Sequence, residues 1–125
     1  NVTSMERMFQ DCAALTTLDL SNFDTANVTS MANMFYECAA LTMLNLSSFD
    51  TANVATMAYM FVGCTQLTTI YGGDWIKSQS LVSVGMFGDC TSLVGGNGTS
   101  YNSSHTDATY ARIDRAGTPG YFTQA

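Results

Sequence analysis

At 125 residues the chain has the size of one domain, long enough to bury a real core. Its net charge of −6, with Arg7, Lys77, Arg112 and Arg115 as the only cations, excludes nucleic acid as a partner, because phosphate binding requires a stripe of Lys and Arg. Hydrophobic residues make up 46% and charged residues 11%, and no run of about 18 apolar residues is present to insert into a membrane.

The chain opens inside a repeat. NVTSMERMFQDCAALTTLDLSNFDTA is followed by NVTSMANMFYECAALTMLNLSSFDTA and by the looser NVATMAYMFVGCTQLTTIYGGDWIKS, a 26-residue period that places Cys12, Cys38, Cys64 and Cys90 at one position. Such self-similarity marks a solenoid, each unit burying its apolar face against its neighbours. A start inside a unit reads as a fragment or processed domain, so the lack of a signal peptide carries no weight.

In the second unit, Val28, Met31, Met34, Phe35 and Cys38 fall at spacings of three and four, one face of a helical turn or short helix with Asn27, Thr29 and Ser30 as available caps. The valine-to-methionine part could equally be extended, with helix only from about Ala32. On either reading the inward ladders are Met8/Met34/Met60/Met86 and Phe9/Phe35/Phe61/Phe87, each filled rung contributing ~2–3 kcal/mol. A Met stripe can also line a groove; strict repetition beside Phe favours core.

The cysteines read as a buried ladder of reduced thiols. Equivalent residues of adjacent coils lie roughly 5 Å apart, within disulfide range, but stacked side chains project the same way. A straight ladder with one histidine offers no tetrahedron for zinc.

Leu41, Leu44 and Leu46 form the LxxLxL pattern of a leucine-rich repeat. Alternation points Leu44 and Leu46 inward and Met43 and Asn45 outward; Leu18, Leu20 and Ile70 are their counterparts. The result is a short parallel sheet, one strand per unit, with the rest of each unit as the crossover. Phe23 and Phe49, with Trp75 in the same slot, are the next inward anchors. Asp24 and Asp50 then suit Asx-type turns; a calcium site would require more converging oxygens, and the next equivalent is Ile76.

The pattern decays toward the C-terminus. Gly72 and Gly73 replace the third unit's inward Leu, and Gly95-Gly96-Asn97-Gly98 interrupts the strand after Leu93. Residues 1–94 are therefore expected to form the solenoid and 95–125 a non-repeating cap on the last unit. Within the cap, Tyr110–Ile113 and Tyr121–Thr123 read as extended pieces joined by a bend at Gly117–Gly120. The other end has no polar cap, so a Val2, Met5, Met8, Phe9 face is expected to self-associate. The fold class is α/β: a right-handed leucine-rich-repeat-like coil with helical turns opposite the sheet.

Chemistry is sparse. His105 sits in the polar loop Asn102-Ser-Ser-His-Thr-Asp107, where a Ser/His/Asp set so close in sequence cannot take relay geometry. The thiols lack the exposed, electropositive setting of a nucleophile, and phosphate-loop, dinucleotide and metallohydrolase motifs are absent. No enzyme, metal or cofactor is expected. Sequons at Asn1, Asn27, Asn97 and Asn102 carry little information, since two of them fall on the repeat consensus. A binding site, if any, belongs on the outward sheet face: Thr17, Asp19 and Ser21, then Met43, Asn45 and Ser47, then Thr69 and Tyr71. These rows vary more than the inward ladders, as a binding face does and as unconstrained solvent positions equally do.

The text NVTSMxxMFxxCxxLTxLDLSxFDTANVTSM resembles the BspA-type leucine-rich repeat of bacterial surface proteins, a family also met in mycoplasma lipoproteins. The closing LVGGNGTSYNSSHTDATYARIDRAGTPGYFT is similar to the end piece that follows such repeats. The resemblance spans essentially the whole chain. It implies an extracellular, cell-surface repeat protein of adhesin type, binding a host or neighbouring-cell protein or glycan, with a passive structural spacer as the alternative. It carries over no catalytic residue and no ligand motif.

Overall fold

The computed structural model describes residues 3–73, 75, 77 and 80–124. Four short strands, β1 (Thr17–Asp19), β2 (Met43–Asn45), β3 (Thr69–Gly72) and β4 (Phe122–Gln124), form one parallel sheet in the order β1-β2-β3-β4. Its register is the sequence period: Leu18 pairs with Leu44 and Leu44 with Ile70. A second parallel ladder, of single bridges, runs Ser4, Ser30, Thr56 and Val82. Successive units thus lie in register on two sides.

The expected α/β class is not what forms. The only helix among the described residues is a single 3-10 turn, Ala108–Tyr110 in the tail. Where a short helix was expected, residues 32–37 are turns. Met31, Met34, Phe35 and Cys38 are all fully buried, and the intervening pairs point outward. This two-in, two-out order has a period of four, which over eight residues cannot be told from the helical 3.6. Even-numbered amides close local turns, Met34 N–H to Met31, Tyr36 to Asn33 and Cys38 to Phe35. Odd-numbered amides reach the next unit, with Met31, Asn33, Phe35 and Glu37 donating to the carbonyls of Thr56, Ala58, Met60 and Val62 at 2.7–3.0 Å.

That alternation requires left-handed backbone at two fixed places per unit. Arg7, Asn33 and Tyr59, then Asp11, Glu37 and Asp89, have φ of 58–62°, and Gly63 and Gly85 complete the two sets. A non-glycine residue there costs about 1–2 kcal/mol. The N–H of each such residue in the first three units donates into the unit that follows, so stacking offsets the strain. An isolated unit would have no such compensation.

The core is a set of columns. Phe9, Phe35, Phe61 and Phe87 stack at centroid distances of 5.5, 5.4 and 5.2 Å, within 7° of parallel. Beside them the thiols stay free, as expected: Cys38, Cys64 and Cys90 Sγ donate to the carbonyls of Phe9, Phe35 and Phe61 at 3.0, 3.2 and 3.0 Å. Burial pushes Cys38 up to about 11 and Cys64 up to about 12, and raises Cys90 as well. Small polar side chains bind the units outside the core. Thr29, Thr42 and Thr68 hydroxyls donate to the carbonyls of Thr3, Thr16 and Thr42, and Asn53 Nδ2 donates to Ala26. Asp24 and Asp50 hold the expected Asx turns, accepting from Ala26 and Ala52 N–H. Polar contacts of this kind explain how 11% charge suffices.

The first unit departs from its ladder. Met8 is 48% exposed, and Phe9, Cys12, Leu15, Leu18 and Phe23 are half-buried, since none of the described residues forms a unit stacked on their outer side; Met5 is nonetheless buried. Val2, also expected on this face, lies outside the described residues.

At the other end, the apparent decay of the repeat is accommodation of the tail. A Cβ on Gly72 would lie 2.5 Å from the Phe122 ring, so the missing Leu leaves room for the closing aromatic. Phe122 pairs with Ile70, two full periods later in sequence, and takes the sheet position that the fourth unit vacates. The fourth unit still joins the ladder through Val94 N–H to Thr68 before turning away. Ser83, in the slot of Met57, accepts the Ala108 N–H, and Thr106 supplies the carbonyl for Phe87 N–H. Phe122 meets Trp75 and Phe87 edge-on, and Tyr121 meets Phe87 edge-on, which ends both aromatic columns. The tail departs from expectation at Tyr110–Ile113, where the 3-10 turn ends and the contact with the closing piece is a single bridge, Ile113 to Phe122, with the Tyr110 and Arg112 carbonyls accepting from Tyr121 and Phe122 N–H.

Asp114 locks this closure. It is 7% exposed and accepts from Asn97 and Thr99 N–H, Thr99 Oγ1 and Gly120 N–H, at 2.7–3.2 Å. Burial pushes its pKa up, but the bonds from Thr99, Gly120 and Asn97 outweigh it and hold the carboxyl below its ordinary value.

Candidate functional site

The outward face of the sheet is built by alternation: the register that buries Leu44 and Ile70 turns their neighbours to solvent. Thr17, Met43 and Thr69 form one row, and Asp19, Asn45 and Tyr71 the next. Ser21 and Ser47 lie beyond, in the turns that leave β1 and β2. Thr17, Asp19, Met43, Asn45 and Tyr71, with the edge residue Leu18, line a shallow concavity of about 130 Å³. Ser21, Ser47 and Thr69 are not among its walls.

The polar groups of this face are mostly committed. Asp19 Oδ1 accepts the Ser21 N–H at 2.9 Å, and the Ser21 hydroxyl and amide hold the Asp19 carboxyl below its ordinary value. Asn45 Oδ1 accepts both the N–H and the hydroxyl of Ser47, at 3.1 and 2.7 Å. These two side chains are turn-formers first. Asn45 Nδ2 and the Tyr71 hydroxyl have no protein partner among the described residues. Met43, 38% exposed, lies between Thr17 and Thr69. The chemistry on offer is a small apolar seat with one amide donor and one phenol, suited to holding a ligand group.

Sequence reasoning missed a second, wider cleft of about 260 Å³ between the last unit and the tail, lined by Lys77, Leu81, Ser83, Asp107, Ala108 and Thr109. Nothing in the period signals it, because its walls come from non-repeating text. Lys77 Nζ donates to the Ala111 carbonyl at 3.0 Å. Asp107 caps the 3-10 turn by accepting from Thr109 N–H, which lowers its pKa. The His105 ring stacks on Tyr110 at 4.3 Å, so the loop's His and Asp are used for packing and capping. Among the described residues, no cluster of three His, Cys, Asp or Glu side chains is placed to hold a metal ion, and no helix is long and apolar enough to cross a membrane.

A family model described as Mycoplasma protein of unknown function, DUF285, matches residues 1–116, and the chain belongs to that family. No curated protein and no solved structure matches it.

Proposed function

We propose that this member of the DUF285 family is a cell-surface binding module of adhesin type. On this reading its units form a leucine-rich-repeat solenoid of the BspA kind, located outside the cell, that holds a host or neighbouring-cell protein or glycan against the outward sheet face. The observation that carries it is the concavity around Met43 and Tyr71, where in-register rows leave apolar surface and an amide with no partner among the described residues open on the sheet. The wide Thr- and Ser-rich surface and low charge agree with a protein built for contact with other macromolecules.

The test is capture of matrix proteins and glycans on an array. Met43→Lys with Tyr71→Ser should abolish capture at an unchanged melting temperature; unaltered capture refutes the site. Asp19 and Asn45 make poor probes when truncated, since each holds its own turn. Asn45→Asp keeps the turn acceptor and replaces the amide donor with a charged oxygen. The commitment of those same oxygens favours the second reading, a passive spacer, under which no array component is retained and these substitutions change nothing.

A further inference from the structure

We infer that the open edge beside Val82, in the second ladder, is a docking site for a short extended segment of a partner protein that carries β-branched apolar side chains at alternate positions. The internal junctions define the three bonds that such an edge makes. Between the second and third units, the Thr29 carbonyl accepts from Ala55 N–H, while Met31 and Asn33 N–H donate to Thr56 and Ala58. Between the third and fourth, the Ala55 carbonyl accepts from Val82 N–H, while Met57 and Tyr59 N–H donate to Val82 and Val84, at 2.7–3.0 Å. The same three groups of the fourth unit are Leu81 C=O, Ser83 N–H and Gly85 N–H, and none has a partner among the described residues. The tail closes only the rest of this edge, where Thr106 and the Tyr101 hydroxyl accept from Phe87 and Asp89 N–H. Beside the open groups lies the cleft of about 260 Å³, whose lining joins Leu81 and Ser83 to Ala108 and Thr109.

The side chains change where the edge opens. The bridging row reads Ser4, Ser30, Thr56 and then Val82, and the next outward row Glu6, Ala32, Ala58 and then Val84. Val82 and Val84 are 51% and 55% exposed; Tyr59, 43% exposed, lies beside them, its N–H bonded to Val84 and its ring against Gly85. An exposed β-branched stretch with unpaired backbone groups, and none of the lysine or proline that guards edge strands, has the form of a strand-adding recognition site. The occupant runs parallel to it, as each internal unit does. Its residue opposite Val82 donates to Leu81 C=O and accepts from Ser83 N–H, and its residue two further on accepts from Gly85 N–H. Those two side chains rest on Val82 and Val84, and the one between them turns toward Ser83 and Ala108, where only a small group fits. A complete 26-residue unit is excluded, because the tail holds the Phe87 and Asp89 part of the edge. Two copies of the protein meeting here about a two-fold axis run antiparallel instead, and each brings a net charge of −6.

The experiment titrates the intact, isotope-labelled protein with the capped synthetic peptide Thr-Val-Ala-Val-Thr and follows backbone amides by NMR. Saturable shifts centred on Ser83 and Gly85, with roughly tenfold slower solvent exchange of both amides, are expected. Methylating the nitrogen of the peptide's first valine, the donor to Leu81, should weaken binding roughly tenfold. Val82→Thr with Val84→Ala restores the third unit's residues at two exposed positions and should also weaken binding roughly tenfold, at an unchanged melting temperature. Met43→Lys with Tyr71→Ser, on the sheet face, should leave the shifts intact, so the two sites fail independently. The inference is overturned if the Ser83 and Gly85 amides do not respond, if the methylated peptide or the Val82→Thr, Val84→Ala variant binds equally well, or if the protein alone forms a dimer that this double substitution dissolves.

Discussion

Phe9 and Phe87 occupy the same place in the repeat, three units apart, yet Phe87 is fully buried and Phe9 only half-buried. The same holds for Cys12 against Cys90 and Leu15 against Leu93. The difference lies in what covers them. Phe87 meets the edges of Tyr121 and Phe122, brought back by the tail, while among the described residues the one ring stacked on Phe9 is Phe35. In a stacked architecture a residue's contribution to stability belongs to its junction, so identical sequence at two ends carries different energies.

The sharpest way to break the comparison is to truncate the aromatics. Phe61→Ala, in the middle of the column, and Phe122→Ala, at its closure, should each cost about 3–5 kcal/mol, read from urea denaturation. Phe9→Ala should cost about 1–2 kcal/mol, having roughly half the buried surface to lose. Equal losses at Phe9 and Phe61 would mean that the first unit is as well covered as the third.

Asp114 comes next. Asp114→Ala leaves three backbone amides of the closure unpaired and should cost about 2–3 kcal/mol. Because the folded carboxyl titrates below its unfolded value of about 3.9, its stabilisation is fully present above that pH and is lost as pH falls through the lower folded value. Asp114→Asn should therefore flatten the acid limb of stability below about pH 4, while wild type loses stability there.

The smallest effect on stability sharpens the comparison most cheaply. Under native conditions at pH 8, iodoacetamide should modify Cys12 and spare Cys38, Cys64 and Cys90, whose burial keeps them protonated and covered. Modification counted by mass spectrometry should rise from one to four on denaturation, and alkylated Cys12 should leave the melting temperature nearly unmoved. Uniform labelling of all four thiols in the folded protein would refute the buried ladder.

What was legible in the sequence was what the chain states more than once. The strands at Thr17, Met43 and Thr69, the Phe column, the reduced thiols and the Asx turns at Asp24 and Asp50 all follow from recurrence at a fixed interval. The turn region was misread because a four-residue in-and-out rhythm and a helical one coincide over eight positions; Glu37 and Tyr59 give no hint of left-handed backbone. Contacts made once were out of reach. Gly72 looked like a lost anchor, and no pattern in the sequence singles out Asp114 or Ser83, because each derives its meaning from a partner far along the chain. Of the outward face, the rows were predictable, but the diversion of the Asp19 and Asn45 oxygens into their own turns was not.

Gly72 has a consequence for how such chains lengthen. Gly72 and the aromatic it admits, Phe122, both belong to the far end of the sheet. Duplicating a 26-codon block upstream would add a rung without disturbing the seal, so the size of this molecule and the way it is finished can evolve separately.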